Sequence, residues 1–228
     1  MRACFALVLA GIGAIPLVGC SSESESGPST RDRSLTSDVP ALVRRDCGLA
    51  AEKITSGAVY CPPLVPRGST RSQNRSSRGR VSIDARDDEY TLNFVTATIE
   101  GFDPAQPRGF RRHEGHWLIS ARNDPNPPAS GPGASVVDRI EVEGVPVNVV
   151  ERRWFAYHLD AGHVLAIWPF AGRTFQVSLH GFEHRRVLIE MAEAMISQMR
   201  ACPPASPEGA PGDPACGLVF AGGAPGRR

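Results

Sequence analysis

Six histidines are spread through the chain, and two of them sit three residues apart in His113-Glu114-Gly115-His116. Imidazole exchanges protons near neutral pH and is the commonest side-chain ligand for zinc and copper. The spacing is not that of HExxH, in which two histidines one helical turn apart share a face. On a helix, residues i and i+3 could hold one ion; on a strand they fall on opposite faces. The Trp117–Arg122 segment that follows reads as a strand, so His113 and His116 are a metal-ligand pair that the local pattern does not favour. His158, His163, His180 and His184 lie near the turns of a predicted strand meander. A site assembled from several strands is therefore geometrically open.

Other chemistry is sparser. No G-x-S-x-G nucleophile elbow is present, and Gly133-Ala134-Ser135-Val136-Val137 lacks the second glycine. Asp84, Asp87, Asp88, Glu89, Glu100 and Asp103 offer carboxylates, but Asp87-Asp88-Glu89 reads as a charged turn between strands. No cofactor fingerprint appears. The chain reads as non-catalytic, with an envelope hydrolase built from carboxylates distant in sequence as the enzymatic alternative. Arg67, Arg71, Arg75, Arg78 and Arg80 form a basic stretch without an acid among them. Near a membrane such a loop could touch anionic headgroups or wall polymer; otherwise it is a solvated loop balanced by the acidic turn that follows. Formal net charge is +1 and aromatic residues do not interleave with the arginines, which argues against a nucleic-acid partner.

The first residues set the compartment. Phe5–Val18 is an almost unbroken apolar run after Arg2, the length of a signal-peptide core and short for a bilayer span. Leu17-Val18-Gly19-Cys20 resembles the bacterial lipobox, which implies lipidation of Cys20 and removal of residues 1–19. Acyl chains such as palmitate at that cysteine would anchor the chain, each buried CH₂ contributing ~0.8 kcal/mol. Ser21–Asp38 contains one large apolar residue and is expected to be a disordered tether, with the tether region extending over 20–39. The expected location is the cell envelope: the outer face of the plasma membrane, or the outer membrane where the host has one.

Beyond Cys4 and Cys20, four cysteines remain: Cys47, Cys61, Cys202 and Cys216. An even number in an exported chain indicates disulfides, with three possible connectivities. Cys47–Cys61 and Cys202–Cys216 is the simplest, since each pair closes a short loop. No pair has C-x-x-C spacing, which weakens a thiolate metal site.

The elements that must carry these residues are mostly strands. Val81–Ala85, Tyr90–Glu100, His116–Arg122, Val136–Glu143 and Val145–Arg152 read as strands, with Glu143-Gly144 as a hairpin turn and 124–133 as a loop. Trp154–Leu159, His163–Pro169 and Arg173–His180 are expected to form a three-stranded meander through the three-residue loops Asp160-Ala161-Gly162 and Phe170-Ala171-Gly172, glycine taking the left-handed position. That register pairs Tyr157 with Leu165, Phe155 with Ile167, Leu165 with Val177 and Ile167 with Phe175. It places Ala156, His158, Trp168, Thr174, Gln176 and Ser178 on the opposite face. A helix over Phe182–Met199 follows, with Val187, Leu188, Met191, Ala194, Met195 and Met199 as its apolar stripe, and a shorter helix is expected near Leu42–Ser56. The fold class is α+β: an antiparallel sheet of about six to eight strands against a C-terminal helix, in one domain over residues 40–202. Residues 203–228 form a Pro/Gly-rich tail, partly tied by a disulfide.

The stretches VYCPPLVPRG (59–68) and AIWPFAGRTFQVSLHG (166–181), followed by a terminal helix, resemble a loose class of bacterial exported proteins, mostly uncharacterised lipoproteins. The resemblance covers residues 57–200, its motifs are structural, and it brings no active-site residue with it. What it implies is the fold and the location. The expectation from sequence is thus a lipid-anchored envelope module that binds a protein, polymer or lipid partner. Metal binding (zinc or copper) through histidines is the alternative.

Overall fold

The computed structural model describes residues 34–55, 57–71, 83–101, 113–123, 133–152, 162–181, 184–203 and 216–222. It is an antiparallel sheet with two helices on one face, the α+β class expected. In chain order the elements are β1 (Leu35–Thr36), α1 (Ala41–Ala51), β2 (Ala58–Tyr60), β3 (Val65–Pro66), β4 (Thr70–Arg71), β5 (Ile83–Arg86) and β6 (Glu89–Gly101), then β7 (His113–Arg122), β8 (Ala134–Val142), β9 (Val145–Arg152), β10 (His163–Phe170), β11 (Arg173–His180), α2 (Arg185–Ala201) and β12 (Val219–Ala221). The main sheet runs β4-β6-β7-β11-β10-β9-β8, with β5 paired to β6.

Alternation along the strands decides which face is buried by the helices. Tyr90, Leu92 and Phe94 of β6, Trp117, Ile119 and Ala121 of β7, and Phe175, Val177 and Leu179 of β11 all enter the main core. So do Val164, Ala166 and Trp168 of β10. Each set recurs every second residue, as a pleated strand requires. Against them pack the stripes Val43, Cys47 and Ala50 of α1 and Val187, Leu188, Met191, Met195, Ile196 and Met199 of α2. The α2 methionines are therefore packing residues. The second face of the central strands is also buried: Val150, Leu165 and Ile167 form a smaller cluster there. A continuous apolar run such as Val164–Trp168 is what a strand buried on both faces needs.

One turn departs from expectation, and much follows from it. The β10–β11 connection is a two-residue turn at Ala171-Gly172, with φ of 48° and 76°, closed by the pair Phe170↔Arg173. Two consecutive positive φ values are the signature of the tight hairpin turns whose twist matches that of the strands. Ala171 accepts the left-handed region that the sequence reading reserved for glycine. The register consequently moves by one residue. Leu165 pairs with Ser178 and Ile167 with Gln176, and Trp168 joins Phe175 on the helix-covered face. On its other side β10 pairs with β9, Leu165 facing Val150 and Ile167 facing Asn148. The expected partnership with Trp154–Leu159 is thereby replaced, and residues 153–161 lie outside the described residues. Glu143-Gly144 forms the hairpin turn expected, with φ of 49° and 80°.

The chain ends of the domain are stapled. Disulfides join Cys47 to Cys61 and Cys202 to Cys216, each across 14 residues. β12 pairs with β2. This small ribbon is fixed to the main sheet by the Tyr60 amide donating to Tyr90 Oη and by Arg173, which donates to the Ala58 carbonyl and lies over the Tyr90 and Phe175 rings. Toward the N-terminus, Leu35 and Val39 are buried and β1 pairs with β3, so residues 34–39 of the expected tether belong to the packed domain.

Candidate metal centre

The histidines that come together are His116, His163 and His180. They arrive on three adjacent strands, β7, β10 and β11, through a single row of the register. His163 is paired directly with His180 across the β10–β11 hairpin. On the other side, β11 and β7 pair Leu179 with Trp117, and His180 and His116 stand one step further along both strands. Residues opposite each other in an antiparallel sheet share a face. All three rings therefore project from the face opposite the helices, whereas their strand neighbours Trp117, Val164 and Leu179 point into the main core. The register expected from sequence would have set His163 opposite Leu179. The two-residue turn brings the imidazoles together.

The geometry is close-packed. Ring centroids are separated by 4.5 Å (His116–His163), 4.8 Å (His116–His180) and 5.1 Å (His163–His180). One ligating nitrogen from each ring can be chosen so that all three lie within 4.8 Å of one another. His163 Nε2 and His116 Nε2 are 2.8 Å apart, sharing a hydrogen bond. His163 Nδ1 is 2.7 Å from the Ser178 hydroxyl. His163 and Ser178 are fully buried, His180 nearly so, and His116 is half-buried. Ser178 lies diagonally across from His163, two residues before His180. One strand thus supplies both a ligand and the hydroxyl that orients the neighbouring ligand.

Burial holds the His163 pKa well below the usual histidine range, and the adjacent His116, His180 and Arg152 push it further down. A neutral imidazole is the form that binds metal. Ligation through His163 Nε2 requires the proton on Nδ1, and Ser178 Oγ is positioned to accept it. Such hydrogen bonds to the distal ring nitrogen fix tautomer and orientation in histidine metal sites. Tetrahedral zinc with Zn–N near 2.0–2.1 Å spaces its nitrogens about 3.3 Å apart. Rotating χ1 by about 20°, within a rotamer well, swings Nε2 by more than an ångström, so side-chain motion alone can spread or close this set. Three neutral imidazoles suit zinc, copper and nickel and give no hold on calcium or magnesium.

Of the pair singled out in the sequence, His116 belongs to this group. His113 opens β7 opposite Gly101, and its side chain lies outside the described residues. His184 directly precedes α2, and His158 falls outside the described residues. Arg67 is exposed in the segment between β3 and β4; the Arg71 side chain and Arg75, Arg78 and Arg80 lie outside the described residues, as does Cys20. Spacing along the chain does not group His163 with His180 and His116, although both hairpin members lie near predicted turns. No family model, curated protein or solved structure matches the chain.

Proposed function

We propose that this chain is an exported, lipid-anchored envelope protein that binds a transition metal ion, zinc or copper, through His116, His163 and His180. The observation that carries the reading is the convergence of three imidazoles from three adjacent strands on one buried sheet face. Two buried rings and one half-buried ring, with a donor atom from each within 4.8 Å of the others, give a site that is largely assembled before the ion arrives, so little ordering entropy opposes binding. The lipobox-like LVGC at 17–20 and the two disulfides support the location. Disulfides persist in oxidising, extracytoplasmic compartments.

Two measurements test the two halves separately. Equilibrium dialysis against zinc, copper, calcium and magnesium should give one bound zinc or copper per chain and neither alkaline-earth ion. Replacement of all three histidines by alanine should abolish uptake; uptake unchanged by that substitution refutes the site. A fatty-acid probe should label the wild type and leave Cys20→Ala unlabelled, and equal labelling refutes the anchor.

A further inference from the structure

We propose that two copies of this chain pair edge to edge through β8, antiparallel about a two-fold axis at Ile140. The inference is independent of the metal reading. Among the described residues β8 is the terminal strand of the main sheet, with β9 as its neighbour. Ser135, Val136, Val137, Arg139 and Glu141 along it are exposed. Val136 and Val137, at 36% and 37%, are the exposed large hydrophobic residues of the described chain. A strand at a sheet edge presents backbone donors and acceptors to which another strand can pair.

The ladder with β9 decides which backbone groups face outward. Val142↔Val145 closes a two-residue hairpin turn, so that pair exchanges hydrogen bonds, and every second pair back along β8 does the same. Arg139 and Glu141 fall between, which turns their N–H and C=O groups away from β9. One contact shows the outer edge directly. The Arg139 N–H donates to Asp138 Oδ1, 2.8 Å away, so it is met by the side chain of its own neighbour and not by a strand. Pairing with β9 is regular over Asp138–Val142 and shifts at Val137. The segment available for further pairing is therefore Asp138–Val142.

Side chains choose the register. A two-fold axis along the sheet normal keeps both helix-covered faces on one side, so residues of like face must meet. The outward-facing residues must also meet each other to exchange hydrogen bonds. Axes at Arg139, Ile140 or Glu141 satisfy both conditions. An axis at Arg139 or at Glu141 sets that residue against its own copy, like charge against like. The axis at Ile140 instead sets each Arg139 against the Glu141 of the other copy, on the face away from the helices. Unlike charges directly opposite are favourable and like charges unfavourable, which selects Ile140. On pairing, the Arg139 N–H leaves Asp138 Oδ1 for the Glu141 carbonyl of the other copy, and Asp138 keeps its ion pair with Arg185. The exposed Val137 then lies beside the hairpin turn of the other copy. An interface of this size belongs to the weak, reversible class.

The test uses full-length protein in non-ionic detergent, followed by light scattering and amide hydrogen exchange up to about 1 mM, as a small interface requires. The dimer fraction is expected to rise with concentration, and exchange at Arg139 and Glu141 to slow in step. Both side chains are exposed, so charge reversal there leaves the fold intact. Arg139→Glu alone and Glu141→Arg alone each turn the unlike pairs into like ones and should weaken the dimer at least about tenfold. Mixed one to one, the two variants again set unlike charges opposite each other, and the dimer should return. A chain monomeric throughout that range overturns the proposal. So does a dimer that either reversal leaves unchanged, that mixing fails to restore, or that forms with exchange at Arg139 and Glu141 unaltered. Exchange at Arg139 slowed only on addition of other envelope proteins assigns the edge to a foreign strand and overturns the second copy.

Discussion

Replacing His116 by alanine is the sharpest perturbation of the proposed centre, because it is the half-buried member and its loss opens the smallest cavity. Without metal, the substitution removes the partner of His163 Nε2, 2.8 Å away, and leaves that buried nitrogen short of a hydrogen bond. Such a loss costs about 1–3 kcal/mol. With metal the effect is larger and has a different signature. Ligand binding to the folded state stabilises it by RT ln(1 + [L]/Kd), about 2.7 kcal/mol at a hundredfold excess over Kd. For a domain of this size each kcal/mol moves Tm by roughly 2–4 °C, so zinc should raise the wild-type midpoint by about 5–11 °C. If loss of one of three ligands weakens zinc about a hundredfold, the same zinc concentration stabilises the variant by only about 0.4 kcal/mol. The zinc-induced shift should then shrink to below about 2 °C.

The assay is differential scanning calorimetry with zinc and with EDTA, run without reductant so that both disulfides persist. Comparing shifts within each variant cancels the metal-free cost of the mutation. His113→Ala is the matched control: it lies on the same strand, three residues away, and should leave the zinc shift at its wild-type size. A full shift in His116→Ala refutes the reasoning. So does a shift lost in His113→Ala and kept in His163→Ala, which would return the site to the pair nearest in sequence.

Ser178→Ala removes the acceptor for His163 Nδ1–H and should weaken zinc 10- to 100-fold, with Ser178→Thr restoring much of it; nitrogen-15 shifts of His163 report whether the tautomer has changed. Ala171→Gly relieves a residue at φ 48° in the β10–β11 turn and should raise stability by about 0.5–1 kcal/mol, read as a higher urea midpoint with an unchanged slope. Severing Cys202–Cys216 by a double serine substitution should cost roughly 3 kcal/mol on the loop-closure estimate, measured in the same denaturation. Burial raises the Tyr60 phenol to about 12, and its hydroxyl donates to the Cys202 carbonyl. A folded-state pKa above the unfolded value near 10 means that this stability is complete below pH 10 and lost as pH climbs toward 12. Absorbance at 295 nm should show one fewer late-ionising phenol in Tyr60→Phe, and an unchanged titration contradicts the assignment.

How much of this was legible in the sequence depends on the range over which each feature is determined. The sheet, its terminal helix and the disulfide pairing follow from short-range signals: alternation in RTFQVSLH, the three- and four-residue spacing of the α2 methionines, and two cysteine pairs each closing 14 residues. The β10–β11 register was a one-residue matter, decided by whether Ala171 could take positive φ. A local rule that keeps L-residues out of that region is right in most contexts, because the penalty is real. Here it is outweighed by what the tighter turn allows, with Trp168 moving to the helix-covered face beside Phe175, their rings stacked at 6.2 Å. Hairpin symmetry about residues 171 and 172 then carries His163 onto His180, so two of the three ligands were within reach of a reading that admitted that turn. His116 was not. Its membership depends on β11 choosing β7 as its second neighbour, a pairing across more than fifty residues that no local pattern encodes. The nearness of His113 and His116 in sequence pointed to the wrong kind of proximity for a strand: ligands on a sheet gather across strands in a row, and neighbours along one strand separate.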